Sequence, residues 1–123
     1  MHDPFINMYS DTVTRPTEAM RRAIAEAECG DDMSGSDPTV NRLEAMVAEL
    51  LEKEAAVFAC SGTQSNQMGV RTHCQPGDEL LIADNGHIAN FEAGGPAVLS
   101  GVSCRLLKAH HGMIDVDDLE GML

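Results

Sequence analysis

Apolar residues recur at helical spacing in two stretches near the start of the chain. The first stretch follows Thr14-Arg15-Pro16-Thr17, where Pro16 suits the first turn of a helix. Gly30 is placed to end this helix as the residue after its C-cap. The second helix is predicted to begin at Asp37-Pro38, with Asp37 as its N-cap. The apolar positions that define the two helices are Ala19, Met20, Ala23, Ile24 and Ala27 in the first and Val40, Leu43, Val47, Leu50 and Leu51 in the second.

Three short apolar runs further along the chain have the length of buried strands, at residues 55–59, 79–83 and 102–107. Helices are predicted between and after them, at 64–73 and 116–120. Because helices alternate with short apolar strands, the sequence predicts an α/β fold with a largely parallel sheet. Three strands are few for such a sheet, so we expect the 123 residues to be an incomplete part of a larger domain.

Charge and composition narrow the classes of function. The chain has 8 Lys and Arg residues against 20 Asp and Glu, a formal net charge of −12. This charge would repel nucleic acid and anionic membrane surfaces. No apolar run reaches the ~18 residues that a membrane span needs, and the first residues lack the pattern of a signal peptide. We therefore expect a cytoplasmic protein without nucleic-acid or membrane partners.

Metal and disulfide chemistry are not expected. The four cysteines contain no CxxC pair, and the sequence predicts reduced, mostly buried thiols. The acidic residues Asp31, Asp32 and Asp37 could suggest a hard cation, but their spacing fits a solvated loop with a helix cap better.

Ser61-Gly62-Thr63 is the first candidate for chemistry, because it lies between a predicted strand and a predicted helix. Such a position combines free backbone N–H groups with the positive end of the helix dipole, which favours a phosphate. It lacks the longer glycine motifs for nucleoside triphosphates or dinucleotides. A plain N-cap, with Ser61 or Thr63 bonding its own helix, is the alternative.

His87 is the second candidate, in a predicted loop just after the second strand. Loops beyond the carboxyl ends of parallel strands are where α/β sheets bind ligands. There an imidazole can stack on a planar ligand or transfer a proton, or it can simply be a surface residue. A third polar stretch, Ser10 to Thr14, is either a structured arm or a frayed terminus.

Several of these segments match one family in order and spacing from about Met8 onward. They are Ser10-Asp11-Thr12-Val13-Thr14-Arg15-Pro16-Thr17, Gly30-Asp31-Asp32 with Gly35, Asp37-Pro38-Thr39-Val40-Asn41-Arg42-Leu43-Glu44, Ser61-Gly62-Thr63 with Asn66-Gln67, Gln75-Pro76-Gly77-Asp78-Glu79, and His87-Ile88 with Glu92-Ala93-Gly94-Gly95-Pro96-Ala97. Together they resemble the threonine aldolases and related β-eliminating lyases, which are pyridoxal-phosphate (PLP) enzymes of the aspartate-aminotransferase fold, fold type I.

The resemblance implies a fold and a set of site residues. Residues 1–123 would be the N-terminal part of the PLP-binding large domain, an α/β/α sandwich with a mostly parallel sheet. Ser61, Gly62 and Thr63 would hold the PLP phosphate. His87 would lie flat on the pyridine ring and could help to deprotonate the substrate's β-hydroxyl, either directly or through water. Ser10 would help to hold the substrate carboxylate. The family also implies a homodimer or homotetramer.

The activity that the resemblance implies is cleavage of threonine or allo-threonine to glycine and an aldehyde. This chemistry needs a lysine that binds the cofactor covalently. Lys53 and Lys108 are the only lysines, and neither has the family's sequence context. We therefore expect the 123 residues alone to be inactive. A β-eliminating lyase for another amino acid, or a non-catalytic truncated chain, are the alternatives. Ser34 and Ala89 replace aromatic residues that are usual in the family and bear on substrate preference.

Overall fold

The computed structural model describes residues 5–122, which form two compact units, 5–58 and 59–122. The first unit contains helices α1 (Glu18–Glu26) and α2 (Pro38–Leu50). Thr17 caps α1, because its hydroxyl accepts a hydrogen bond from the Met20 N–H at 3.3 Å. Both predicted helices are thus confirmed, although α1 begins two residues after Pro16.

Asp37 fixes the start of α2, as predicted. One of its carboxylate oxygens accepts hydrogen bonds from the N–H groups of Thr39 and Val40, each at 2.9 Å. The other accepts from the Gly30 N–H at 2.8 Å. The Gly30 bond, followed by the Val40 bond, lowers the pKa of Asp37 against the opposing effect of burial. The carboxylate therefore closes the loop between the two helices as well as capping one of them.

The predicted role of Gly30 is wrong. Helix α1 ends at Glu26, and its C-cap Ala27 is extended rather than left-handed. Gly30 is not among the residues with positive φ. A Cβ at Gly30 would clash with the Ser36 carbonyl oxygen. Glycine is needed there because the two ends of the loop approach each other closely, and not because a helix ends in the left-handed conformation.

The second unit contains helix α3 (Gly62–His73), strand β1 (Glu79–Ala83), the short helix α4 (His87–Asn90) and strand β2 (Ser103–Leu107). The strands are parallel, in register from Glu79 opposite Ser103 to Ala83 opposite Leu107. Helix α4 and a π-helical turn at Pro96–Ser100 lie on the connection between them. The buried apolar side chains of this unit are Val70, Val102 and Leu107. An α/β fold with parallel strands is therefore confirmed for the described residues.

The strand predicted at residues 55–59 is wrong. No strand among residues 5–122 pairs with this segment, and Val57 is 68% exposed. The Phe58 N–H donates instead to Glu44 Oε1 at 2.7 Å. An apolar run becomes a strand only where a neighbouring strand accepts and donates its backbone hydrogen bonds.

Two further expectations are corrected. The last predicted helix is a single 3₁₀ turn, Val116–Leu119, which ends before Gly121 takes a positive φ of 76°. All four cysteines are free thiols, but they are not mostly buried: Cys29 and Cys60 are exposed, and the other two are partly exposed. The apolar residues Val57 and Phe58 that precede Cys60 are exposed as well.

Within residues 5–122, no helix combines the length and the apolar character that a bilayer crossing requires.

Candidate functional site

The N-terminus of α3 presents unused hydrogen-bond donors. Ser61 is the N-cap, and its hydroxyl accepts from the Gln64 N–H at 3.1 Å. The N–H groups of Gly62 and Thr63 and the Thr63 hydroxyl have no hydrogen-bond partner among residues 5–122. A Cβ at Gly62 would meet no described atom within 4 Å. Ser61 is therefore occupied by capping, whereas Gly62 and Thr63 face open space with donors that suit an anion.

A groove lies beside these donors. It has a volume of about 670 Å³ and follows α3, with Ser61 and Thr63 in its lining at the start of the helix and Arg71 and Leu99 further along. The donors at the helix start are therefore accessible to a small molecule.

Glu92 is the centre of a buried hydrogen-bond cluster. Its side chain is 0% exposed. Glu92 Oε1 accepts from Asn66 Nδ2 at 2.6 Å and lies 2.9 Å from His87 Nδ1. Glu92 Oε2 accepts from Gln67 Nε2 at 2.6 Å. One carboxylate thus joins two side chains of α3 to the imidazole at the start of α4.

The charge state of Glu92 follows from this cluster. Burial raises the pKa of Glu92, but the hydrogen bonds from Asn66, Gln67 and His87 outweigh burial and leave the pKa below its ordinary value. The carboxylate is therefore ionised at neutral pH and acts only as an acceptor.

The backbone after Glu92 is shaped to bring its carboxylate to α3. Ala93 and Gly94 both have positive φ, 51° and 74°, and form a turn directly after Glu92. A Cβ at Gly95 would lie 2.6 to 2.8 Å from the carboxamide of Gln67. Because Glu92 holds this carboxamide by a hydrogen bond, a side chain at position 95 would push Gln67 out of that bond, and glycine avoids the conflict.

His87 is the first residue of α4, rather than a loop residue as predicted. Its side chain is 63% exposed, and its ring lies 5.4 Å from that of Phe91 with a tilt of 46°. The Asn90 carboxamide steadies the segment by donating to the carbonyls of Asp84 and Gly86 at 2.9 and 2.8 Å. One ring nitrogen of His87 is thus held by Glu92, while most of the ring stays accessible.

The predicted site residues Ser61, Gly62, Thr63 and His87 all lie in the second unit. Asn66 and Gln67 follow Gly62 and Thr63 by four residues, which is slightly more than one helical turn, or ~6 Å along α3. Because both amides bind Glu92, the carboxylate connects His87 to the turn of α3 next to the free N–H groups.

Ser10 lies in the other unit, 5–58. Its hydroxyl caps the 3₁₀ turn Asp11–Val13 by accepting from the Thr12 N–H at 3.2 Å. The stretch from Ser10 to Thr14 is therefore a structured turn, and the substrate role of Ser10 stays a prediction.

The sequence interpretation gave no role to Glu92, Asn66 or Gln67. The available signal was an acidic residue five positions after His87, directly before small residues that allow an unusual turn. Among residues 5–122, no group of three or more His, Cys, Asp and Glu side chains is placed to hold a metal ion.

Fold and site together define an α/β protein in which a helix terminus with free N–H donors is connected through Glu92 to an anchored imidazole. Comparison with known protein families then identifies the family of this chain. A sequence model of the family described as "Beta-eliminating lyase" matches residues 7–123. The chain belongs to this family.

Two relatives that are similar to this chain in sequence are named as threonine aldolases. The chain is 48% identical over 104 residues to "Low specificity L-threonine aldolase" of Escherichia coli (strain K12), covering 85% of this chain and 31% of that protein. It is 45% identical over 117 residues to "Probable low-specificity L-threonine aldolase 2" of Arabidopsis thaliana, covering 94% of this chain and 33% of that protein. The chain thus spans about a third of the length of these curated relatives.

Proposed function

We propose that this chain forms the phosphate-binding and ring-stacking part of a PLP-dependent lyase of the threonine-aldolase type. The whole enzyme would cleave a β-hydroxy-α-amino acid, such as threonine or allo-threonine, to glycine and an aldehyde. The observation that carries the proposal is the pair of free N–H donors at Gly62 and Thr63, one helical turn from the amides that anchor His87 through Glu92. The names of the relatives supply the reaction.

The residues present fit the cofactor. Gly62 and Thr63 would donate to its phosphate, and the space in front of Gly62 leaves room for that group. PLP, when bound, supplies an electron sink for the carbanion left at Cα. His87 would lie against the pyridine ring with its accessible face. The exposed imidazole would accept the proton of the substrate's β-hydroxyl.

The remaining parts of the proposal concern the whole protein. We propose the complete α/β/α large domain of fold type I, with residues 1–123 as its N-terminal part, and a cytoplasmic homodimer or homotetramer. Ser10 would contribute to binding of the substrate carboxylate. The covalent lysine would come from outside these residues, because Lys53 and Lys108 lack its context.

A related lyase that eliminates a β-substituent from another amino acid is the second candidate. The description of the matched family favours it. Its products would be ammonia and a keto acid, so product analysis separates it from the aldolase.

A chimeric enzyme tests the proposal. In it, this chain replaces the matching segment of the E. coli low specificity L-threonine aldolase, to which it is 48% identical over 104 residues. We expect the chimera to bind PLP, seen by its absorption, and to release glycine and acetaldehyde from threonine. A soluble, PLP-loaded chimera that forms ammonia and a keto acid would support the second candidate. A folded chimera that does not retain PLP would contradict both.

Thr63→Val in the chimera tests the phosphate contact. The variant keeps the shape of the side chain but removes the free hydroxyl, so PLP affinity is expected to fall about tenfold, the effect of one hydrogen bond to a charged group. Thr72→Val is the matched control, since the Thr72 hydroxyl in the same helix donates to the Met68 carbonyl at 2.8 Å. Equal PLP affinity in the two variants would rule out the assigned role of Thr63.

A further inference from the structure

We propose that Glu92 is a positioning residue that holds the imidazole proton of His87 on Nδ1 and leaves Nε2 as the proton acceptor of the site. This inference rests on the proposed function for its catalytic consequence, whereas the position of the proton is a property of the chain itself.

The hydrogen bonds around Glu92 indicate whether the proton between Glu92 and His87 lies on the carboxylate or on the imidazole. Glu92 receives donors at both oxygens, from Asn66 at 2.6 Å and from Gln67 at 2.6 Å. A buried carboxylate with these partners is ionised and has no proton to donate. The 2.9 Å contact between His87 Nδ1 and Glu92 Oε1 is therefore a hydrogen bond in which Nδ1 carries the proton. In a neutral ring, Nε2 is then unprotonated.

The cluster also fixes where the ring lies. Among residues 5–122, the Nδ1 contact with Glu92 is the only hydrogen bond of a ring that is 63% exposed. Glu92 cannot follow the ring if it moves, because the amides of Asn66 and Gln67 hold its oxygens from α3. Loss of the carboxylate charge would therefore weaken control of both the tautomer and the orientation of the imidazole.

Glu92→Gln removes the charge with little change in shape. The Gln67 Oε1 atom is buried and without a hydrogen-bond partner among the described residues. A rotated Gln67 carboxamide would present this oxygen to the amide N–H of the new glutamine. The new amide oxygen would still face Asn66 and His87. The variant therefore keeps the packing and replaces a charged acceptor with a neutral, weaker one.

The test measures the ring ¹⁵N shifts of His87 by NMR in the cofactor-free chimera, at about pH 9, where imidazole is generally neutral. The His87 signals are assigned by their loss in His87→Gln. We expect the Nδ1–H form in the unmodified protein, and a ratio of Nδ1–H to Nε2–H lower by about tenfold in Glu92→Gln. Glu79→Gln is the matched control, since Glu79 is an exposed partner of Arg105 in the same unit, and should leave the ratio unchanged.

Kinetics of the PLP-loaded chimera form the second readout. Glu92→Gln should lower kcat about tenfold or more with KM nearly unchanged, because the imidazole accepts its proton in the transition state. An Nε2–H tautomer in the unmodified protein would overturn the inference even if Glu92→Gln failed to fold, and so would an equal ratio in a folded Glu92→Gln variant. Failure to bind PLP or to cleave threonine would instead count against the proposed function, since the tautomer is measured without cofactor.

Discussion

Single residues decide how closely the segments of the site approach one another. Gly95 and Gln67 are 28 positions apart in the sequence, yet a Cβ on Gly95 would lie 2.6 Å from the Gln67 carboxamide carbon. Ala93, with a positive φ of 51°, accepts backbone strain in the same turn. The strain is offset by the burial of Glu92 against three donors.

Gly95→Ala is therefore expected to destabilise the chain, by about 1–3 kcal/mol, because a methyl group would be forced into an occupied position. Gly69→Ala is the matched substitution. Gly69 lies inside α3, its φ is not positive, and its Cβ would meet no described atom within 4 Å. Alanine there should stabilise the helix by up to about 1 kcal/mol. Thermal unfolding followed by circular dichroism compares the two. Equal midpoints would mean that Gln67 does not occupy the position described.

At the scale of the helix and the strand, some features could be predicted from the local sequence, whereas others depend on contacts with residues far away in the sequence. Strand β1 (Glu79–Ala83) coincides with its prediction, and the Asp37 cap was visible in two adjacent residues. The segment 55–59 has an equally apolar sequence but pairs with no strand among residues 5–122, which its own residues could not reveal. Glu92 was missed for the same reason, since its amide partners Asn66 and Gln67 are 26 and 25 positions away.

The start of α2 should respond to acid through Asp37. Its folded-state pKa is lowered from 3.8, chiefly by the Gly30 N–H. Because the pKa of Asp37 is lower in the folded state than in the unfolded state, its contribution to stability is complete above about pH 3.8. This contribution is lost as the pH falls through the folded-state pKa. We expect Asp37→Asn to flatten the dependence of stability on pH in this acidic range, measured by denaturant unfolding. Asp32→Asn, in the same loop but without a side-chain hydrogen bond to described residues, should keep the dependence. Parallel curves for wild type and Asp37→Asn would contradict the assignment.

For the whole molecule, both helices of the first unit have apolar faces that lack cover in the part of the chain described. Ile24 on α1 is 70% exposed and Leu50 on α2 is 79% exposed, although both belong to predicted apolar stripes. Val57 in the unpaired segment is exposed in the same way. Amphipathic helices and apolar runs gain their stability by burial, so these surfaces are suited to contact further protein.

The proposed reaction needs a lysine that binds PLP covalently. The positions of the two lysines therefore predict whether the 123 residues are active alone. Lys108 follows β2 and lines a different cavity, with His110 and Asp115, and Lys53 belongs to the other unit. Within the second unit, the described contacts do not place Lys108 beside Gly62 or His87. With added PLP, the 123-residue chain is therefore expected to release no acetaldehyde from threonine, in an assay in which the chimeric enzyme does. Cleavage by the chain that is abolished by Lys108→Arg but not by Lys53→Arg would overturn this expectation and identify Lys108 as the covalent lysine. If the chain is inactive while the chimera is active, these residues supply the phosphate and ring contacts, and the covalent chemistry comes from the rest of the enzyme.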